Sequence, residues 1–288
     1  MMKIKNTFYR QLAIHAAWII VPVFLFSTAA FSGEEKTFVY FHSSETSINN
    51  FKSLKMEFDR YLSRFGPYEL QPVKERSEFE KQIIHQKNCL ILTSSWHYRK
   101  ICRTYQGKPV LIGIRNGKST QKRLLIAKKE FTDIASSGVN IASASSIQHT
   151  RSAIKEMFFK KKLNVDAVKI LTVPKDIDAI MAVSFGMSGA ALITENNYDR
   201  LKHLTPDLYQ NIKIIATGPE FPLMILAARL RCLEKHKHLI QIIKKMPDTP
   251  LGQKQIRMLG LDSFQEATDK DRMMLDLTKN VTLQQERK

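Results

Sequence analysis

Apolar positions along the chain alternate between two periods. Thr37–His42 is a run of strand formers, and Phe51, Leu54, Phe58, Tyr61 and Leu62 follow over 47–64 at helical spacing, ended by Gly66-Pro67. Tyr68–Val73 predicts a second strand. Ser77 with Glu80 three residues on reads as a capping box opening a helix Ser77–His85. Cys89–Thr93 is a buried strand, Ser94–Tyr105 a helix, and Pro109–Arg115 and Arg123–Lys128 are strands. The rhythm then repeats: strand Val139–Ala142, helix Ile147–Phe159, strand Val168–Val173, helix Lys175–Phe185, strand Gly189–Ile193, helix Glu195–His203 and strand Ile212–Thr217. After Phe221–Ala228 the pattern is mostly helical to Lys288. Gly186–Gly189 and Gly218–Pro222 read as short turns. Strands alternating with helices predict an α/β architecture with mostly parallel sheets flanked by helices. Two such blocks without a linker predict two lobes: 33–128 with 218–288 as the first, 129–217 as the second. Strands near 123–128 and 212–217 should connect them.

The first 32 residues have a different pattern. Lys3, Lys5 and Arg10 precede an apolar run over 11–31, which ends in small residues and is followed by Glu34-Glu35. This is the order of a secretory signal, with Ala30-x-Ser32 placing cleavage before Gly33. The other reading is an uncleaved membrane anchor. No Cys follows the run, which argues against a lipoprotein. Export to the periplasm is therefore expected.

The 288 residues carry 45 Lys+Arg against 27 Asp+Glu, a net charge of +18. Removing the three basic residues of the signal lowers it to +15. Such a charge suits an anionic partner, and export disfavours nucleic acid. The basic residues are spread along helix faces, so a weak contribution to anion capture is expected. Cys89, Cys102 and Cys232 are an odd set that cannot form a full disulfide framework; free buried thiols are expected, with a Cys89–Cys102 pair in an oxidising compartment as the alternative. His236 and His238, at i,i+2, read as solvent-facing. There is no GxSxG, Walker or HExxH motif and no metal-ligand spacing, so no catalytic residue, cofactor or metal is expected. Asp176 and Asp178 read as helix-start acids that favour the helix dipole.

Three Ser/Thr-rich junctions stand at the C-terminal ends of predicted strands. They are His42-Ser43-Ser44-Glu45-Thr46, Thr93-Ser94-Ser95-Trp96-His97-Tyr98, and Ala142-Ser143-Ala144-Ser145-Ser146. A strand–turn–helix junction offers unsatisfied backbone N–H groups, a positive dipole end and hydroxyl donors, which together bind an oxyanion. Ligands of open α/β sheets bind at that end of the strands. Ser43, Ser44, Ser94, Ser95, Ser143, Ser145 and Ser146 are therefore candidate ligand donors, with Trp96 and Tyr98 as an apolar wall for an organic group.

The stretch Val173-Pro174-Lys175-Asp176-Ile177-Asp178-Ala179-Ile180-Met181-Ala182-Val183-Ser184-Phe185-Gly186, followed by Gly189–Thr194, Leu201-Lys202 and Thr205–Leu208, resembles the phosphate/phosphite/phosphonate family of periplasmic substrate-binding proteins. Gly107–Lys128, with Gly-Lys-x-Thr before a strand, continues a likeness that covers about residues 36–265. The resemblance implies a type II periplasmic-binding fold: two α/β lobes, a hinge crossed twice, and a ligand cleft between them. It implies capture of a phosphate- or phosphonate-like oxyanion for an ABC permease. The family's phosphonate loop appears here as Ser145-Ser146-Ile147-Gln148, which adds Gln148 to the candidates. The acidic residue usual before Ala190 is Gly189, so an ammonium group on the ligand is not implied. A monomer is expected. The alternatives are a receptor signalling to a separate membrane sensor and, less favoured, an exported enzyme.

Overall fold

A computed structural model describes residues 35–45, 50–134, 139–159 and 164–276. The signal segment, Thr46 and the last twelve residues lie outside the described residues.

The first sheet has the order β11-β4-β10-β3-β1-β2. It is built from β1 (Thr37–His42), β2 (Tyr68–Pro72), β3 (Cys89–Ser94), β4 (Gly107–Ile114), β10 (Met224–Arg229) and β11 (Ser263–Glu266). The second sheet, β7-β6-β8-β5-β9, uses β5 (Thr120–Lys128), β6 (Asn140–Ser143), β7 (Lys169–Thr172), β8 (Ala190–Thr194) and β9 (Ile212–Pro222). In each sheet three adjacent strands are parallel and the rest antiparallel. Parallel pairing is thus confined to the βαβ units, and β5 and β10, the strands that receive the chain from the other sheet, run against them.

Period-2 alternation sends neighbouring residues to opposite faces, and both faces are covered by helices. Val39, Phe41, Leu90 and Leu92 pack under α1 (Phe51–Leu62), α8 (Lys237–Lys245) and α9 (Pro250–Met258). Tyr40, Cys89 and Ile91 pack under α2 (Arg76–His85), α3 (Ser95–Tyr105) and α10 (Asp269–Leu275). In the second sheet, α4 (Ile147–Met157) covers Leu125, Ile141 and Leu192. The opposite face packs against α5 (Asp176–Ser184), α6 (Glu195–Leu204) and α7 (Pro206–Gln210).

The chain changes sheets twice, at the tight turn between β4 and β5 and at Leu223 between β9 and β10. The sequence reading placed its boundaries at 128/129 and 217/218, on these strands, whereas by sheet membership β5 and β9 lie wholly in the second sheet. Gly218–Pro222 is not a turn. It extends β9, with Glu220 opposite Lys122 and Phe221 opposite Gln121, because pairing along β5 overrides the local turn signal. Phe221–Ala228 is largely β10, and the described residues after it are mostly helical, as the sequence pattern predicts, interrupted by the short strand β11. All six residues of β10 are buried, and a continuous apolar run has no strand period to read.

The helix α2 opens at Arg76 with Glu75 as N-cap and no side-chain cap bond. Ser77 is therefore inside the helix, and Glu80 turns instead to Lys100 at 2.7 Å and His97 at 3.0 Å. His236 is buried, its Nε2 2.9 Å from Asn88 Oδ1, while His238 meets Tyr68 at the surface. The three cysteines are free, Cys89 buried and the other two partly so. Among the described residues, no helix is long and apolar enough to cross a membrane.

Candidate functional site

The C-terminal ends of β1, β3 and β6 converge on one cleft between the sheets. A cavity of about 200 Å³ lies there. One wall is Ser95, Trp96, Arg99 and Lys100 of α3. Across from them stand Gln121 and Arg123 of β5, Ser146, Gln148 and His149 at the start of α4, and Gly218 and Phe221 of β9, with Glu45 closing one end.

The β6–α4 junction is ordered by its own hydroxyls. Ser146 is the N-cap of α4 and accepts from the His149 N–H at 3.2 Å. Ser143 Oγ is buried and accepts from the Ser145 N–H at 3.1 Å and from Thr150 Oγ1 at 2.9 Å. Ser145 Oγ is fully buried and has no partner in the protein. Ser44 Oγ, Ser94 Oγ and Trp96 Nε1 are likewise buried without partners. Buried polar groups are almost always satisfied. Four such donors at adjoining strand ends therefore mark a place where something polar is held.

The two walls already touch. Trp96 and His149 stack with ring centroids 4.9 Å apart and an interplanar angle of 29°. Arg76 also lies over the indole, 5.0 Å from its centroid, and donates to the Ala144 carbonyl at 3.2 Å. Arg99 lies 4.5 Å over the Phe221 ring. Burial, together with Arg123, Arg99 and Arg76, holds the His149 pKa well below the ordinary imidazole value, so the ring is neutral. Its Nε2 has no partner.

At the closed end is an ionic group. Arg123, 8% exposed, donates to Glu45 Oε1 at 2.6 Å and lies 3.8 Å from Asp176 Oδ1. Gln121 Nε2 donates to Glu45 Oε2 at 2.6 Å. Asn197 Nδ2 bridges, donating to the Glu45 carbonyl at 3.3 Å and to Asp176 Oδ2 at 3.0 Å. The Thr194 N–H also donates to Asp176 Oδ2, at 2.8 Å.

A family model described as the ABC transporter, phosphonate, periplasmic substrate-binding protein matches residues 41–272. The chain belongs to this family. No curated protein sequence matches it. Its fold is similar to that of a binding protein component of an ABC phosphonate transporter from Pseudomonas aeruginosa. The TM-score is 0.66 at 17% identity, over 86% of this chain and 88% of that one. A Xanthomonas citri protein bound to ATP gives 0.65 at 11%, over 83% and 94%. A Prochlorococcus marinus protein in complex with methylphosphonate gives 0.63 at 11%, over 87% and 99%. The receptor is thus a two-lobed periplasmic binding protein, and its family supplies small anionic ligands to ABC permeases.

Of the residues named from the receptor's sequence, the structure brings Ser95, Trp96, Ser146 and Gln148 to the cavity wall. Ser43 and Ser94 line a small gap beside it, and the Ser43 hydroxyl accepts from the Glu45 N–H at 3.2 Å. Ser44 and Ser145 are buried at the same strand ends. Ser143 is spent on holding the loop. Tyr98 is a correction. Its ring lies in the core with Ile101 and Tyr105, and its hydroxyl donates to the Gly107 carbonyl at 2.9 Å, because i+2 from Trp96 on α3 faces away from the cleft.

Sequence reasoning missed Glu45, Arg123, Asp176 and His149. It also took the cations to be spread along helix faces with a weak part in anion capture, whereas Arg99, Lys100 and Arg123 line the cavity. Asp176 is not a plain dipole acid, since it is buried and accepts from the start of α6. Asp178 does close the first turn of α5, accepting from the Lys175 N–H at 3.0 Å. A Cβ at Gly189 would stand 3.1 Å from Phe131 and 3.2 Å from Val139, so a larger side chain there needs both neighbours to give way by a few tenths of an ångström.

Proposed function

We propose that the receptor captures a small organic phosphonate, with its oxyanion at the start of α4 and its organic group against Trp96, Met157, Pro219 and Phe221. The observation that carries this reading is the set of partnerless buried donors, Ser44, Ser94, Trp96 and Ser145, at or just beyond the ends of β1, β3 and β6. A cavity of about 200 Å³ is below the roughly 300–1,000 Å³ of drug-sized ligand sites, which favours a short substituent over a nucleotide. The mixed lining favours a carbon-bearing oxyanion over inorganic phosphate. The carboxylates of Glu45 and Asp176 are both engaged by Arg123, and burial raises the pKa of the remaining acid on the cavity wall, Glu156, above its ordinary value, so an ammonium group on the ligand is not favoured.

On this reading the chain is exported by residues 1–32, works as a monomer beside an ABC permease, and performs no chemistry on its ligand. It does not contact nucleic acid. The two sheets serve as the lobes, with β5 and β9 leading between them. Calorimetric titration with methylphosphonate, phosphite, phosphate and 2-aminoethylphosphonate tests it. Methylphosphonate should bind most tightly and the amino compound more weakly. Equal, negligible heats from all four would overturn the reading.

A further inference from the structure

Glu45 stands at an unusual place. Its side chain is on the wall of the inner cavity, of the small gap beside Ser94, and of a larger cavity of about 610 Å³ lined in part by Arg115, Arg200 and Arg257. It is the partition between an arginine-bearing outer space and the inner site. Its carboxylate is also the anion that Arg123 now holds, in a nearly dry pair where each side chain is 10% exposed. Gln121 completes a carboxylate cradle from the same strand.

We propose that Glu45 is an internal anion that competes with the ligand for Arg123: in the empty receptor it occupies the guanidinium, and an incoming oxyanion displaces it. This rests on the oxyanion reading of the cleft. The guanidinium fork suits a carboxylate and a phosphonate equally, so one can replace the other on the same donors. Removing the internal anion should raise affinity, because the ligand no longer has to displace a charge and no longer faces a like charge at the cavity end. Asp176 remains on the far side of Arg123, so the guanidinium stays paired when Glu45 leaves. The groups that face Glu45 are Arg123 and Gln121 of β5, Asp176 of α5, Asn197 of α6 and Arg115 at the end of β4. Burial raises its carboxyl above the ordinary carboxylate range despite Arg123, so acid conditions favour its release.

The experiment is calorimetric titration of methylphosphonate, and separately of inorganic phosphate, into wild type, Glu45→Gln, Glu45→Ala, Arg123→Gln and the double variant Glu45→Gln/Arg123→Gln. Folding of each is checked by thermal melting. Both Glu45 variants should bind methylphosphonate about tenfold more tightly, which is one decade for about 1.4 kcal/mol. The gain should vanish in the Arg123→Gln background. Equal or weaker binding by both Glu45 variants overturns the competition, as does a gain that persists without Arg123. If neither anion binds wild type or any Glu45 variant, the oxyanion reading itself fails. If wild type binds and only the gain is missing, that reading stands and the competition alone is lost.

Discussion

The indole of Trp96 lies face to face with the imidazole of His149, 4.9 Å between centroids, so a residue of α3, which packs on the first sheet, and one of α4, which packs on the second, form a single stack. Aromatic pairs of this kind contribute about 0.5–1.5 kcal/mol beyond their buried area. Trp96→Ala should therefore weaken methylphosphonate binding by three- to tenfold in calorimetric titration, and Trp96→Phe by less. An unchanged affinity in Trp96→Ala would place the stack outside the binding event.

Ser145 and Ser146 should separate binding from stability. The Ser145 hydroxyl has no partner in the protein, so its loss costs the fold nothing. Ser145→Ala should melt at the wild-type temperature or above and bind about tenfold more weakly, since a hydrogen bond to a charged acceptor contributes about 1.5–3 kcal/mol. Ser146 caps α4, so Ser146→Ala should also lose about 1 kcal/mol of stability in urea denaturation.

Tyr98→Phe removes a core hydrogen bond to the Gly107 carbonyl. It should cost about 1 kcal/mol of stability and leave the affinity for methylphosphonate as in wild type. A change in affinity would return Tyr98 to the cleft.

Asp176 is 1% exposed and accepts from the Thr194 N–H and from Asn197 Nδ2. Asp176→Ala leaves those donors unpaired and removes one of the two anions beside Arg123. A loss of about 3–5 kcal/mol is expected from urea unfolding, as for other broken buried pairs.

His42 sets an acid limit. Burial, with His97 beside it, lowers its pKa from 6.5 to about 4. The unfolded chain then takes up a proton near pH 6.5 that the native ring refuses. The stability it gives is full above pH 6.5 and is lost as pH falls toward 4, on the order of 3 kcal/mol in all. His42 Nδ1 lies 3.0 Å from the Val73 carbonyl, a bond that an asparagine amide can keep. His42→Asn should flatten the fall in unfolding free energy between pH 7 and pH 4.5 by about one proton. Part of the fall remains, because burial also lowers His97, His149 and His236.

The Ser-rich start of α4 was legible because a helix cap is a local device, written in four or five consecutive residues, and Ser146 is such a cap. The lobes were legible for a similar reason, since a βαβ unit repeats within about thirty residues. Glu45, Arg123 and Asp176 were not. Each is one polar residue beside an apolar run, and Glu45 and Arg123 are 78 positions apart in sequence. Pairing at that distance has no period and no motif. His149 lies one turn inside α4, where the pattern alone makes it a surface residue. β11 escaped because four residues at a sheet edge, Ser-Phe-Gln-Glu, carry too little alternation to stand out.

The antiparallel ribbon of β5 and β9 slips where it matters. Lys122 faces Glu220 and Leu124 faces Thr217, so Arg123 lies inside an irregularity opposite an extra residue of β9. Bulges sharpen local twist and are where a ribbon bends. Arg123 is therefore held by an irregular stretch of the ribbon and not by a regular ladder. The direction in which its guanidinium faces is set by local twist, so the seat of whatever anion it holds, an internal carboxylate or a captured one, is written into the pairing of β5 with β9.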